Sequence, residues 1–284
     1  MFAKLLKYEI KSSYKLVGLL SLVAVILGGV GAVAIRFIKV LTEMIDKDPD
    51  MMGVSIIGTM ALMLLIMFVY VSIVIYVAAV SIFLLYRFYK NKFTDEGYLT
   101  FTLPVKTRDI FLSSGINMLI WSFVTSIVAY GTLVLMIIFG LIDASWFGSE
   151  ALDFIRALKE AFFGDIDSLF NVLLAGVYLL MLPISLVFST VMGMTSIVLG
   201  AVAVKKYKVL AAIGFYYGIN TVVSMFGSFI SILPAFIVMI WPSMIGVSIY
   251  QILTIFLQLV IYVVLTIVGY FVSVRLMERK LNLP

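Results

Sequence analysis

The sequence predicts an all-α protein that crosses a membrane with six transmembrane helices. Its 284 residues are 64% hydrophobic and 12% charged, and the mean hydropathy is +1.21, whereas a soluble domain carries about 45–50% apolar and about 25% charged residues. The charged residues leave long uncharged runs between them, and about 20 apolar residues in a helix cross a hydrocarbon layer of about 30 Å. The excess of apolar side chains therefore faces lipid.

The spans follow from the charged residues that bracket each uncharged run, because a charge near the bilayer centre costs at least about 2.5–3.5 kcal/mol. The last run, residues 209–274, would be about 99 Å long as a single helix, so it must turn back. Segment 224–248 supplies the turn, with Pro234 and Pro242 as helix breakers and Trp241 suited to an interface. One transmembrane domain is expected over residues 1–284, with spans at residues 16–36, 54–86, 110–142, 170–204, 209–232 and 248–274.

The distribution of basic residues predicts the orientation of the chain. Three quarters of the 20 Lys and Arg residues lie in the N-terminal segment, the second and fourth loops and the C-terminal tail. Because basic residues resist translocation, these segments are predicted to be cytoplasmic, which places a multi-pass chain in the cell membrane with both termini cytoplasmic. The net charge of +5 then reflects contact with anionic lipid headgroups, and no nucleic-acid partner is expected.

Two segments outside the spans are predicted to lie at the membrane surface. In residues 1–15, apolar side chains such as Phe2 and Ile10 share one side of a helix and four lysines lie toward the other. This pattern indicates an N-terminal interfacial elbow helix leading into the first span, or a basic leader that serves orientation alone. Residues 143–167 are typical of a short amphipathic helix, which either caps the outer mouth of a pathway or lies at the outer headgroups.

Composition and motifs argue against catalysis by this chain. With no His and no Cys, thiol and imidazole chemistry are excluded, and a zinc site would need carboxylates alone. No G-x-x-x-x-G-K-[ST] phosphate loop occurs, so ATP hydrolysis by that route is not expected. No charge lies within the uncharged runs that form the predicted spans, so ion coupling would need a broken helix, for which the candidates are Gly193, Thr195, Ser196 and Gly200. The predicted protein is not an enzyme, and no catalytic, metal-binding or cofactor-binding residue is expected.

A set of neutral polar residues lies inside the predicted spans. These residues are Asn117, Thr125, Ser126, Tyr130, Asn220, Gln251 and Gln258. We interpret them chiefly as hydrogen-bonding partners of neighbouring helices, a role worth about 0.6 kcal/mol per contact. Contact with a substrate is the alternative.

Residues 87–109 form the one substantial loop on the predicted cytoplasmic side. The loop mixes charges with apolar side chains, among them Phe93, Tyr98, Phe101 and Leu103. Apolar side chains in an aqueous loop predict a docking surface for a partner protein, or insertion of these side chains into the inner headgroups.

Two motifs resemble permease subunits of type-2 ABC exporters, especially those of the clostridial and bacillar kind. Residues 2–9 (FAKLLKYE) match the basic leader of these permeases. Residues 95–105 (DEGYLTFTLPV), followed by residues 110–114 (IFLSS), match the run between their second and third spans. The chain departs from the pattern at Ser114, where many relatives have Lys.

This resemblance implies that the second loop forms a coupling helix, which inserts into a groove of a separate ABC ATP-binding subunit. The residues that it assigns to the interface are Glu96, Gly97, Tyr98, Leu99, Thr100, Leu103 and Pro104. ATP and Mg would be bound by that partner, and this chain would hold no cofactor. The resemblance also implies a second permease subunit, identical or related, and a helical hairpin in the outer leaflet between spans five and six.

The predicted function is therefore that of the membrane-spanning permease subunit of an ATP-driven ABC exporter. The expected substrate is amphipathic, such as a peptide antibiotic, a drug or a lipid. Two alternatives are a non-transporting membrane scaffold or sensor that binds a cytoplasmic partner, and an ion-coupled carrier.

Overall fold

Six long helices account for nearly all of the residues that the computed structural model describes, which are residues 2–47, 52–94, 97, 105–141, 156, 169–240 and 244–279. The helices are α1 (Phe2–Lys47), α2 (Met52–Phe93), α3 (Thr107–Leu141), α4 (Leu169–Ala203), α5 (Lys208–Ile240) and α6 (Met244–Arg279). All six are long and apolar enough to cross a membrane, and no strand occurs in the described ranges. The prediction of an all-α protein with six spans is confirmed.

The N-terminal leader is helical, but it does not form a separate element before the first span. Helix α1 runs without interruption for 46 residues from Phe2 to Lys47. No proline lies in this range, and proline is the residue that most strongly breaks a helix. The leader and the first span therefore belong to one helix, and no break in that helix separates the expected elbow from residue 16.

The turn between the last two spans is shorter than the sequence indicates. Helix α5 continues through Pro234 to Ile240, and α6 begins at Met244. A proline is tolerated inside a membrane helix because neighbouring groups re-satisfy the backbone. The uncharged run of residues 209–274 is longer than two spans require, and the extra residues extend α5 and α6. Residues 209–240 and 244–274 therefore contain no separate hairpin element. Residues 241–243 lie outside the described residues, as does all of the expected amphipathic segment 143–167 except Arg156.

One compact unit comprises residues 1–6, 85–119 and 153–284. In this unit α4 packs against both α5 and α6, and α5 packs against α6. Small residues allow the close approach: a Cβ atom on Gly200 of α4 would lie only 2.5 Å from the backbone nitrogen of Ala212 on α5. Met194 and Val198, on the same helix, are completely buried. Helix α4 therefore forms the core of the unit.

The other compact unit comprises residues 7–84 and 120–152, which include most of α1, the first part of α2 and the later part of α3. A Cβ atom on Gly31 of α1 would lie 2.6 Å from the sulfur of Met136 on α3, so glycine permits this helix pair to pack closely. Helices α1 and α2 share a hydrogen bond of 2.8 Å between the hydroxyls of Ser21 and Tyr76. Glycine contacts at Gly31 and, one turn earlier, at Gly28 thus join α1 to α3, and a polar contact joins α1 to α2.

Candidate coupling site and polar cleft

The predicted coupling loop is described at one of its seven assigned residues. Gly97 is buried, and its N–H donates a hydrogen bond of 2.8 Å to the carbonyl of Thr94. This bond closes a turn directly after α2. The other six residues, Glu96, Tyr98, Leu99, Thr100, Leu103 and Pro104, lie outside the described residues.

Aromatic side chains connect the base of this loop to the end of α6. Phe88 of α2 contacts Phe93 edge-on, with ring centroids 5.7 Å apart, and contacts Phe111 of α3 in the same manner at 6.2 Å. Phe111 in turn contacts Tyr270 of α6 edge-on at 5.8 Å. Edge-to-face pairs of this kind each contribute about 0.5–1.5 kcal/mol beyond the area that they bury. These four residues, here called the aromatic ladder, tie together the helix ends that flank the second loop.

Burial of the aromatic ladder corrects one expectation for the loop. Phe93 was expected on a docking surface or among headgroups, but it is only 3% exposed, as is Phe88. The apolar side chain of Phe93 therefore stabilises the base of the loop from within the chain. Phe111, the second residue of the expected third span, is 2% exposed. Three of the four ladder residues are thus packed inside the chain, and Tyr270 is partly exposed.

Helices α4 and α6 are also joined by a small buried hydrogen-bond network. The hydroxyl oxygen of Thr195 lies 2.7 Å from the carbonyl of Val191 and 3.3 Å from the carbonyl of Gly269, and it accepts a bond of 3.0 Å from Ser273. Helix α4 is continuous from Leu169 to Ala203. The four residues proposed for a broken-helix ion site therefore lie in an unbroken helix, where Thr195 serves a contact between helices.

A cleft with polar walls lies among α4, α5 and α6 and has a volume of about 460 Å³. Helix α5 contributes Asn220 and three serines, α6 contributes Tyr250, Thr254, Gln258 and Tyr262, and α4 contributes Phe188. The polar residues recur at every third or fourth position on α5 and α6, so each set shares one face of its helix. No Lys, Arg, Asp or Glu lines the cleft. This feature, here called the polar cleft, is a neutral cleft within three apolar helices.

Four side chains of the polar cleft donate a hydrogen within their own helices. Asn220 donates to the carbonyl of Tyr216, and Ser228 and Ser231 donate to carbonyls of α5. Gln258 donates to the hydroxyl of Tyr262 at 3.0 Å. A hydroxyl whose hydrogen is committed in this way retains only lone pairs for other partners. Asn220 and Gln258 each keep a second N–H, and the hydroxyls of Thr254 and Tyr262 keep their hydrogens, so the walls of the cleft offer both donors and acceptors.

Two aromatic side chains close one end of the polar cleft. The rings of Phe188 on α4 and Tyr262 on α6 are stacked, with centroids 4.3 Å apart and planes only 3° from parallel. The hydroxyl oxygen of Thr254 nearby is buried and has no hydrogen-bond partner among the described residues. Aromatic faces beside groups that both donate and accept hydrogen bonds suit a ligand that has an apolar part and a neutral polar part.

The expectation that polar residues in the spans bond neighbouring helices is not met where it can be checked. Asn220 and Gln258 bond within their own helices, and so do Thr125 and Ser126 of α3. Hydrogen bonds between helices are made instead by Thr195 and Ser273 and, in the other unit, by Ser21. A hydroxyl side chain in a helix can donate to the backbone carbonyl four residues earlier, and this bond competes with bonds to a neighbouring helix.

Neither protein-family models nor curated proteins nor solved structures show a match to this chain. The roles of the aromatic ladder and the polar cleft therefore rest on their own residues and geometry.

Proposed function

We propose that this chain is the membrane-spanning permease subunit of an ATP-driven ABC exporter. One observation carries the proposal: a single helix, α6, holds both Tyr270 of the aromatic ladder and the row of residues from Tyr250 to Tyr262 that forms a wall of the polar cleft. A displacement of the second loop would pass through packed aromatic rings to α6. The same helix would then shift a wall of the polar cleft.

The energy for transport would come from a separate ABC ATP-binding subunit. Its groove would receive Glu96, Gly97, Tyr98, Leu99, Thr100, Leu103 and Pro104, and ATP and Mg would be bound by that partner. The positive charge of the second loop, the leader and the tail supports a cytoplasmic position for these segments and for both termini, in the cell membrane. This chain would supply shape and movement and would have no catalytic residue of its own.

A second permease subunit, identical or related, would complete the path in a lipid membrane. The substrate would be amphipathic, as a peptide antibiotic, a drug or a lipid is. The walls of the polar cleft both donate and accept hydrogen bonds and favour a substrate with a neutral polar part, and the stacked pair of Phe188 and Tyr262 favours an apolar or aromatic part.

Copurification tests the proposal. The full chain, isolated from its native membrane, should bring down an ATP-binding protein, and Tyr98→Asp or Leu103→Asp should abolish both the association and the stimulated ATP hydrolysis. A charge placed in a docking groove that must be desolvated costs several kcal/mol. Tyr8→Asp, on an exposed tyrosine of α1, is the matched control and should leave both unchanged.

The same experiment separates the proposal from its alternatives. A scaffold or sensor would bring down a partner without ATP turnover. An ion-coupled carrier would show flux that follows an ion gradient and does not respond to the changes at Tyr98 or Leu103. Either result would refute the exporter.

A further inference from the structure

A second cavity lies at the C-terminal end of α6, beyond the part of the helix that lines the polar cleft. It has a volume of about 920 Å³ and is lined by residues 105–108 at the start of α3 and by side chains from Tyr270 to Arg279 on α6. Its charged side chains are Lys106, Arg108, Arg275 and Arg279, against the single acid Glu278. We call it the basic cavity, and neither coupling nor substrate binding uses its arginines.

The walls of the basic cavity change from apolar to charged along α6. Tyr270, Phe271 and Val274 lie on the side toward the apolar stretch of the helix, and Arg275 and Arg279 follow within the next turns. Phe271 is 65% exposed. Residues 209–274 carry no charge, so the cavity lies across the boundary at which an apolar span gives way to charged residues. Such a boundary marks the level of the lipid headgroups.

The start of α3 adds backbone donors to this cationic wall. The carbonyl of Lys106 accepts the first bonds of the helix, from the N–H groups of Asp109 at 2.9 Å and Ile110 at 3.3 Å. The preceding N–H groups of a helix have no partner within it and attract anions. Asp109 lies in the same turn but does not line the cavity. The lining thus combines four cations with the positive end of a helix.

We propose that the basic cavity binds the phosphate headgroup of an anionic phospholipid, with the acyl chains lying along Phe271 and Val274. Arginine pairs with phosphate through two parallel N–H bonds, and basic pockets beside transmembrane helices suit anionic headgroups. A free phosphate or a nucleotide would use the arginines but would leave the adjacent apolar wall uncovered. A phospholipid satisfies both parts of the cavity.

Calorimetric titration of the full chain in a neutral detergent tests this assignment. The probes are dioctanoylphosphatidylglycerol, dioctanoylphosphatidylcholine and inorganic phosphate. The anionic lipid should bind saturably, and Arg275→Gln with Arg279→Gln should weaken that binding about 30-fold, since each basic residue near a headgroup contributes about a fivefold factor. Glu278→Gln should strengthen it about fivefold, a gain that a misfolded variant cannot produce.

The control removes the same charge elsewhere. Lys7→Gln with Lys11→Gln, on exposed lysines of α1, should change binding less than twofold. Equal affinity for the two lipids would overturn the proposal. So would an equal loss of affinity in the Lys7/Lys11 variant and the Arg275/Arg279 variant, because it would show that the lipid responds to the overall surface charge. If inorganic phosphate binds as tightly as the anionic lipid, the cavity binds an adventitious ion only, and the lipid proposal is wrong.

Discussion

Replacing Phe111 by leucine removes both edge-to-face ring contacts at the centre of the aromatic ladder and keeps an apolar side chain at this position. Phe111 is 2% exposed and contacts Phe88 at 6.2 Å and Tyr270 at 5.8 Å. Lipid tails are as apolar as leucine, so the loss comes from ring contacts and packing and not from exposure to water. Two pairs at about 0.5–1.5 kcal/mol each predict a destabilisation of about 1–3 kcal/mol.

The measurement is a double-mutant cycle on the free energy of unfolding in mixed micelles, followed by circular dichroism. Phe111→Leu, Tyr270→Leu and the double variant should show a coupling energy of about 0.5–1.5 kcal/mol. Phe111→Leu combined with Phe188→Leu is the control, because Phe188 stacks on Tyr262 and belongs to a different contact. That pair should be additive within about 0.5 kcal/mol. Additive effects of the first pair would refute the aromatic ladder as an energetic connection between α3 and α6.

Three further changes test the packing of the first unit. Gly200→Leu should destabilise the protein by at least about 1–3 kcal/mol, because the new side chain would meet the backbone of α5. Gly214→Ala has open space around it and should be neutral or stabilising. Thermal unfolding measures both variants, and equal effects would contradict the close approach of α4 and α5. Thr195→Val should cost about 1 kcal/mol in the same assay through its two bonds to α6, and Ser228→Ala, which loses only a bond within its helix, should be near neutral. Tyr207→Gly should stabilise by about 1 kcal/mol, because Tyr207 has a positive φ of 60°; an unchanged melting temperature would contradict strain at this residue.

The spans were predictable because a charge inside a membrane is so unfavourable that charged residues mark the ends of each helix. The exact ends were less predictable. Pro234 reads as a helix breaker, yet α5 continues past it, since tertiary neighbours in a membrane unit can re-satisfy the backbone. The leader reads as a separate amphipathic helix, yet nothing between Phe2 and Lys47 interrupts the helical hydrogen bonds.

The contacts of the site were much harder to predict than the spans. Phe88, Phe111 and Tyr270 lie on three different helices, and a single sequence carries no information on which of its many aromatic residues meet. The spacing of Asn220 and Ser224 on α5, and of Thr254 and Gln258 on α6, does show that each pair shares a helix face. It does not show that the faces meet in a cleft, or that the hydrogens of Asn220 and Gln258 remain within their own helices.

The arrangement of hydrogen bonds has a mechanical consequence for α5. Helices α4 and α6 are fastened by Thr195, Gly269 and Ser273, whereas no hydrogen bond among the described residues links α5 to another helix. Near its start α5 approaches α4 closely, where Gly200 meets Ala212. A displacement of α6 would therefore draw α4 along with it through the bonds of Thr195, and both helices would shift relative to α5. The space beside Phe188 would then change without loss of the hydrogen bonds between α4 and α6.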